Sequence, residues 1–182
     1  AKVLFDRTAL NPIPVESIKG TLTDHYDPGA NVVRLSEPIG RGATVASLAV
    51  TAHELGHVQQ YQTGSGLIKM RGALLPALQF SPTLSYVCLM FGLLFNLTGL
   101  MWLGVLFFGL MVVFSLLTLP VEFDASKRGM KMLEEAKLLQ SPEDAKGAKQ
   151  LLTAAGLTYL AAAITSVLQL LYYISVVQRS RR

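Results

Sequence analysis

Charged side chains are scarce in this sequence. Only 15% of the 182 residues are Asp, Glu, Lys or Arg, against roughly 25% in a typical soluble domain. The stretch from Gly72 to Leu119 contains none at all, and the mean hydropathy of the chain is +0.43. Because about 20 apolar residues suffice to cross a bilayer, this composition argues against an ordinary soluble domain and predicts a membrane protein.

Thiols and basic patches are also nearly absent. Cys88 is the single cysteine, so the chain forms no internal disulfide and no multi-thiol metal site. The net charge is +4, but the basic residues do not form a stripe interleaved with aromatic residues, as a nucleic-acid-binding surface would require. We therefore expect anionic lipid headgroups, and no nucleic acid, to be the partner of these charges.

Three apolar tracts predict membrane spans at about 74–95, 100–119 and 153–177, with Asn96–Gly99 as the hinge between the first two. A charged helical segment, 121–140, follows the second span. It ends at a break where Ser141 can cap a new helix and Pro142 can open it. The predicted segments are 1–71 (hairpin and motif helix), 72–119 (two spans), 120–150 (charged segment) and 151–182 (last span).

The N-terminal part has a different pattern. Two alternating segments, Thr21–Tyr26 and Asn31–Ser36, flank Asp27–Ala30 and predict a β-hairpin. From about Ala43 the apolar spacing becomes helical, with Ser36 or Thr44 as the possible cap and 64–66 as the end. The predicted fold is therefore a mainly α, multi-pass helical membrane protein with a small N-terminal β-hairpin.

Basic residues predict the orientation of the first two spans. They flank the pair on both sides, whereas the 96–99 hinge has no charge: Lys69 and Arg71 precede it, and Lys127, Arg128 and Lys131 follow it. The positive-inside rule therefore places the motif helix on the cytoplasmic side of the membrane. The terminal Arg179, Arg181 and Arg182 oppose this assignment, because three spans would leave them outside.

The run His53-Glu54-Leu55-Gly56-His57 carries the chemistry. Helical residues four apart are rotated by about 400°, so His53 and His57 lie on one face and can offer two imidazole nitrogens to one ion. Glu54, next to the first histidine, can reach a water beside the ion without ligating the metal, as a general base must. These residues predict one zinc ion per chain and hydrolysis of peptide bonds.

Zinc needs a third ligand. The remaining histidine is His25, on the predicted hairpin, and the first acids after the motif are Glu122 and Asp124. Glu122 is the favoured ligand because it lies just after Pro120, at the membrane boundary where the motif helix is expected. Asp124 could instead pair with Lys127 or Arg128, or orient a ligand histidine.

Several blocks carry a resemblance to a known family: Leu22–Pro28, Val32–Ser36, Ala52–His57, Leu119–Ser126 and Leu152–Tyr159. Together they resemble the YugP-type family of bacterial membrane proteins, which are classed as neutral zinc metallopeptidases. The resemblance implies a multi-pass membrane zincin with His53, Glu54 and His57 at the active site, and one further N-terminal span. More distantly, the arrangement is similar to gluzincin membrane proteases with a late Glu-x-x-x-Asp motif. Ser126 stands where that Asp would fall, as a candidate neighbour of the ligands.

Residues of the predicted hairpin have a less specific signal. His25 and Tyr26 could donate hydrogen bonds to the oxyanion of the reaction, or could be ordinary strand-surface residues. In the first case an extended peptide substrate would lie along the hairpin edge. Gln59, Gln60 and Gln62 are expected on a solvated face of the motif helix.

The predicted function is therefore that of a membrane-embedded zinc endopeptidase of the gluzincin type. The first alternative is a zinc-binding membrane scaffold or inactive protease homologue, in which four protein ligands would close the metal site. A transporter with an accidental motif is disfavoured because its spans would lack ionisable residues other than tyrosine and Cys88. Intramembrane proteolysis is disfavoured by the glutamines of the motif helix. Iron, cobalt and nickel also suit these ligands, and the oligomeric state is open.

Overall fold

A computed structural model describes residues 1–180; Arg181 and Arg182, named above for their charge, lie outside the described residues. The chain is mainly helical. Its elements in chain order are α1 (Lys2–Arg7), β1 (Val15–Ile18), β2 (His25–Asp27), β3 (Val32–Ser36), α2 (Glu37–Arg41), α3 (Val45–Gln62), α4 (Gly66–Leu94), α5 (Thr98–Glu135) and α6 (Pro142–Arg179).

The strands form a small three-stranded sheet in the order β1-β3-β2. Strands β2 and β3 are antiparallel, with Tyr26 opposite Val33. Their turn is held by Asp27, whose carboxylate accepts the N–H groups of Gly29 and Ala30. The hairpin prediction omitted β1, which pairs in parallel with β3. The β1 sequence Val-Glu-Ser-Ile has two adjacent polar residues and does not alternate, so the pattern did not reveal this strand.

Helix α3 carries the His-Glu-x-x-His run. Thr44 caps it, since its side chain accepts the N–H of Ser47 at 3.1 Å. The chain leaves the helix through Gly64, whose φ of +71° favours glycine. The predicted start near Ala43 and end at 64–66 agree with these bounds.

The long helices extend beyond the predicted spans. Helix α5 joins the second apolar tract to the charged segment without a break. Glu122 therefore lies inside one continuous helix, whereas the sequence predicted that a separate helix begins after Pro120. Pro120 lies inside this helix, where it lacks the N–H for one backbone hydrogen bond. At Ser141 the predicted break is present, because its hydroxyl accepts the N–H of Asp144 at the start of α6. Among the described residues, three helices are long and apolar enough to cross a membrane: α4, α5 and α6.

The chain divides into two compact units. The first comprises Ala1–Ile68 and Val121–Leu157, and the second Lys69–Pro120 with the chain from Thr158 onward. The core of the first unit is formed by residues of the sheet, α3, α5 and α6, among them Val33, Leu55, Leu133 and Leu152. The second unit has its own cluster around Met101, Val105 and Val177. All residues of the predicted metal site belong to the first unit.

Candidate metal centre

Small residues bring α3 and α5 into close contact. A Cβ atom added to Gly56 would overlap the carbonyl oxygen of Ala125, and one added to Gly129 would lie 2.7 Å from the carbonyl oxygen of Ala52. Side chains of ordinary size would separate the two helices at both points. Because glycine has no side chain, α3 and α5 approach closely at both points, and side chains from the two helices can share one small site.

The side chains of His53, His57 and Glu122 converge at this contact. The Oε2 atom of Glu122 lies 3.2 Å from Nε2 of His53 and 3.4 Å from Nε2 of His57. One ligand atom from each of the three residues lies within 4.8 Å of the others. Glu122 is only 2% exposed, so its carboxylate is held among partners and away from water.

These three residues fit a zinc ion. Two imidazole nitrogens and a carboxylate oxygen form a ligand set that zinc commonly takes. Ligand atoms about 2.1 Å from a tetrahedral ion lie about 3.4 Å from one another, and the two nitrogen–oxygen distances of 3.2 and 3.4 Å are close to that separation. A bound zinc would lower the pKa of a water molecule beside it and polarise a carbonyl group.

The tautomer of His57 is fixed by Gln60. The amide Nε2 of Gln60 donates to the carbonyl oxygen of Val121 and to Oδ2 of Asp124, both at 2.8 Å. Since both partners only accept hydrogen bonds, the amide oxygen of Gln60 must face His57, 3.0 Å from Nδ1. Nδ1 of His57 therefore carries the proton, and the lone pair of Nε2 is directed toward Glu122 and the metal position.

The prediction of a solvated face for the glutamines is wrong for Gln60, which is 1% exposed. A signal was available in the sequence, because Gln60 follows His57 by three residues and so lies on the same face of α3.

Asp124 was expected as a possible partner of a ligand histidine. It reaches His57 only through Gln60, and it also accepts from Nε of Arg128 at 2.7 Å.

Ser126 lies on the other side of the cluster. Its hydroxyl oxygen is 3.1 Å from Nδ1 of His53, so it contacts the ring nitrogen that faces away from Glu122. A hydroxyl can accept the N–H of a ligand histidine in place of a carboxylate. Ser126 thus lies where it can orient His53.

Glu54 is 7% exposed and lies close enough to the cluster for the charges of His57, His53 and Glu122 to act on it. Burial raises the pKa of its carboxyl group; the imidazoles of His57 and His53 oppose this shift, and the charge of Glu122 adds to it. The backbone N–H of Tyr26 also donates to Glu54. The pKa of His57 is lowered by burial, but the hydrogen bond and the charge of Glu122 outweigh this, so the net shift is upward.

The side chains of His25 and Tyr26 have other partners. Nδ1 of His25 donates to the carbonyl oxygen of Thr23 at 2.8 Å, so in the neutral ring Nε2 has no proton to donate to an oxyanion. The Tyr26 hydroxyl donates to Asn31 at 3.0 Å, and its ring packs edge-on against Tyr61. What Tyr26 brings to the site is its backbone N–H.

A family model described as "Putative neutral zinc metallopeptidase" matches residues 1–178. The chain belongs to this zinc metallopeptidase family. It is also similar to the "Putative membrane protease YugP" of Bacillus subtilis (strain 168), with 37% identity over 181 residues, which are 100% of this chain and 80% of that protein. No solved structure matches the chain.

Membership of this zinc metallopeptidase family supports a protease and implies zinc. The resemblance expected from the sequence blocks is thereby confirmed. Within the described residues, the group that can hold a metal ion consists of His53, His57 and Glu122. The membrane protease relative and the three apolar helices agree with a location in a membrane.

Proposed function

We propose that this protein is a membrane-embedded zinc endopeptidase of the gluzincin type, with one zinc ion per chain held by His53, His57 and Glu122. The observation that carries the proposal is the convergence of these three side chains, with the buried carboxyl group of Glu54 close enough for their charges to act on its pKa. Zinc bound there supplies Lewis-acid activation of water and of the peptide carbonyl.

Glu54 acts as the general base in this proposal. Its carboxylate takes a proton from the attacking water and passes it to the nitrogen of the leaving amine, so that the peptide C–N bond breaks. The backbone N–H of Tyr26 lowers the pKa of Glu54 and so favours the carboxylate form that accepts the proton. Burial of Glu54 favours the protonated form that must deliver the proton.

The edge of the sheet is a suitable place for the substrate. Strand β2 is an edge strand. Tyr26 lies opposite Val33, whose N–H goes to Pro14 on the other side of β3, so the two residues exchange no hydrogen bonds and the N–H of Tyr26 points away from β3. In an antiparallel ladder both backbone groups of such a residue point the same way, so the carbonyl of Tyr26 also points away from β3. An extended peptide paired with β2 would donate a backbone N–H to this carbonyl and would lie beside Glu54.

A purely structural zinc site is the second candidate. Structural zinc is usually surrounded by four protein ligands, whereas catalytic zinc keeps one position open. The group formed by the described residues offers three ligands, which favours catalysis.

We propose that the site lies on the cytoplasmic side of the membrane, because basic residues flank the first two spans and the hinge between them has no charge.

The test uses Glu54→Gln and the matched variant Glu37→Gln, which removes an exposed acid outside the site. Purified wild-type protein should contain one zinc per chain and cleave an unfolded protein such as casein. Glu54→Gln should keep the zinc and lose cleavage by several orders of magnitude, while Glu37→Gln should resemble wild type. If the wild type bound zinc but did not cleave casein, the scaffold function would be favoured. Full activity of Glu54→Gln would refute the mechanism.

A further inference from the structure

A groove of about 520 Å³ lies between α6 and the part of α5 that follows Pro120, within the first unit. Apolar side chains of Phe123, Met130 and Leu152 line part of it. Lysines from both helices line another part: Lys127, Lys131 and Lys149. This volume is within the range of roughly 300–1,000 Å³ found for pockets that bind small molecules.

Phe123 lies at the end of the groove nearest the apolar tracts, and the lysines lie farther from them, with Met130 between Lys127 and Lys131. A Cβ atom added to Gly156 would lie 2.7 Å from the ring of Phe123, so the two helices meet there, and beyond this contact each continues into its apolar tract. At 1.5 Å per residue, Lys127 and Lys131 lie roughly 6 and 12 Å along α5 from Phe123, and Lys149 roughly 10 Å along α6 from Gly156. All three lysines therefore lie on the side away from the apolar tracts.

We propose that this groove binds an anionic phospholipid, with an acyl chain extending from Phe123 toward the apolar tracts and the phosphate between the lysines. The headgroup layer of one leaflet is about 5–8 Å thick. If Phe123 is at the hydrocarbon boundary, Lys127 lies at the depth of the phosphates, and long lysine side chains bring Lys131 and Lys149 within reach. The ligand must therefore have an apolar part near Phe123 and an anionic part near the lysines, one after the other along the helices.

The same arrangement disfavours an acidic peptide. Successive side chains of an extended peptide alternate in direction about every 3.3 Å, which does not separate one long apolar part from one charged head. Glu134 also lines the groove, eleven residues after Phe123 and so roughly 16 Å along the helix. Its negative charge would repel a long polyanion but lies beyond the headgroup layer.

The experiment compares lipid retention by the full chain in detergent, offered equimolar phosphatidylglycerol and phosphatidylcholine and measured by native mass spectrometry. The wild type should retain phosphatidylglycerol preferentially. The groove variant Lys127→Gln/Lys131→Gln/Lys149→Gln should retain at least ten-fold less phosphatidylglycerol than the wild type. Each lysine near an anionic headgroup contributes about five-fold in affinity. The control Lys2→Gln/Lys19→Gln/Arg41→Gln removes the same charge from exposed positions outside the groove and should stay within about two-fold of wild type.

Two further variants test the two parts of the ligand. Arginine at the three lysine positions should restore retention, because the charge is kept, and Phe123→Ala should weaken retention of the lipid with no effect on net charge. Equal losses in the groove and control variants would show a general charge effect and overturn the proposal. Equal retention of both lipids would also overturn it, as would displacement of phosphatidylglycerol by inorganic phosphate or by an acidic peptide.

Discussion

Gly56 of α3 lies against the carbonyl group of Ala125 in α5, with no room for a side chain between them. Gly56 occupies one of the two variable positions of the His-Glu-x-x-His run. Its neighbour on the motif, His57, must reach Glu122, which precedes Ala125 by three residues and so lies on the same face of α5. The glycine thus sets the helix separation on which the metal centre depends.

Gly56→Ala should weaken zinc binding by at least ten-fold, because the added Cβ pushes against backbone atoms that cannot rotate away. The control is Gly147→Ala, also within a helix, where the added Cβ would meet a Val45 methyl group at an ordinary 3.6 Å. Zinc affinity is measured by titration with a competing chelator. Unchanged affinity in Gly56→Ala would show that the close helix contact is not required.

Gln60→Leu should reduce zinc affinity by roughly 10–100-fold, as is typical for residues that orient a metal ligand. The substitution removes the amide that holds His57 in one tautomer and leaves Asp124 and the Val121 carbonyl without that donor. Gln62→Leu, at an exposed position of the same helix, is the control. Equal zinc affinity of the two variants would contradict the positioning role of Gln60.

Glu122→Ala should lose most of its zinc under mild chelation, because a ligand oxygen is removed from a site with three protein ligands. Asp124→Ala should have a smaller effect, within roughly 10–100-fold, since Asp124 acts through Gln60. Elemental analysis after dialysis against a chelator measures both. The reverse order of the two variants would assign the ligand role to Asp124.

The orientation in the membrane can be read by cysteine labelling in a Cys88→Ala background. A cysteine at Thr98, in the uncharged hinge between the first two spans, should react with an impermeant thiol reagent applied to intact cells. One at Ser65, next to the motif helix, should react only after the cells are opened. Labelling of Ser65→Cys from outside would place the site on the external face, against the expectation from the basic flanks.

Hydrophobic patterning and local spacing determined much of this protein. The apolar tracts predicted the three long helices because a membrane span depends on composition over about 20 residues. The His53, Glu54 and His57 positions followed from helical periodicity, since residues four apart share a face in any helix. Local caps such as Thr44 and Ser141 were also readable, because their partners lie three residues away.

Tertiary structure decided what depends on residues far apart in the chain. The convergence of Glu122 with two histidines on another helix, the burial of Gln60 and its hydrogen bonds to α5, and the contact of Ser126 with His53 all join positions more than 60 residues apart. Periodicity tells which face of a helix a residue lies on but not what packs against that face. That choice depends on the close fit of small residues, here Gly56 against Ala125, and it emerges only when the helices are packed together.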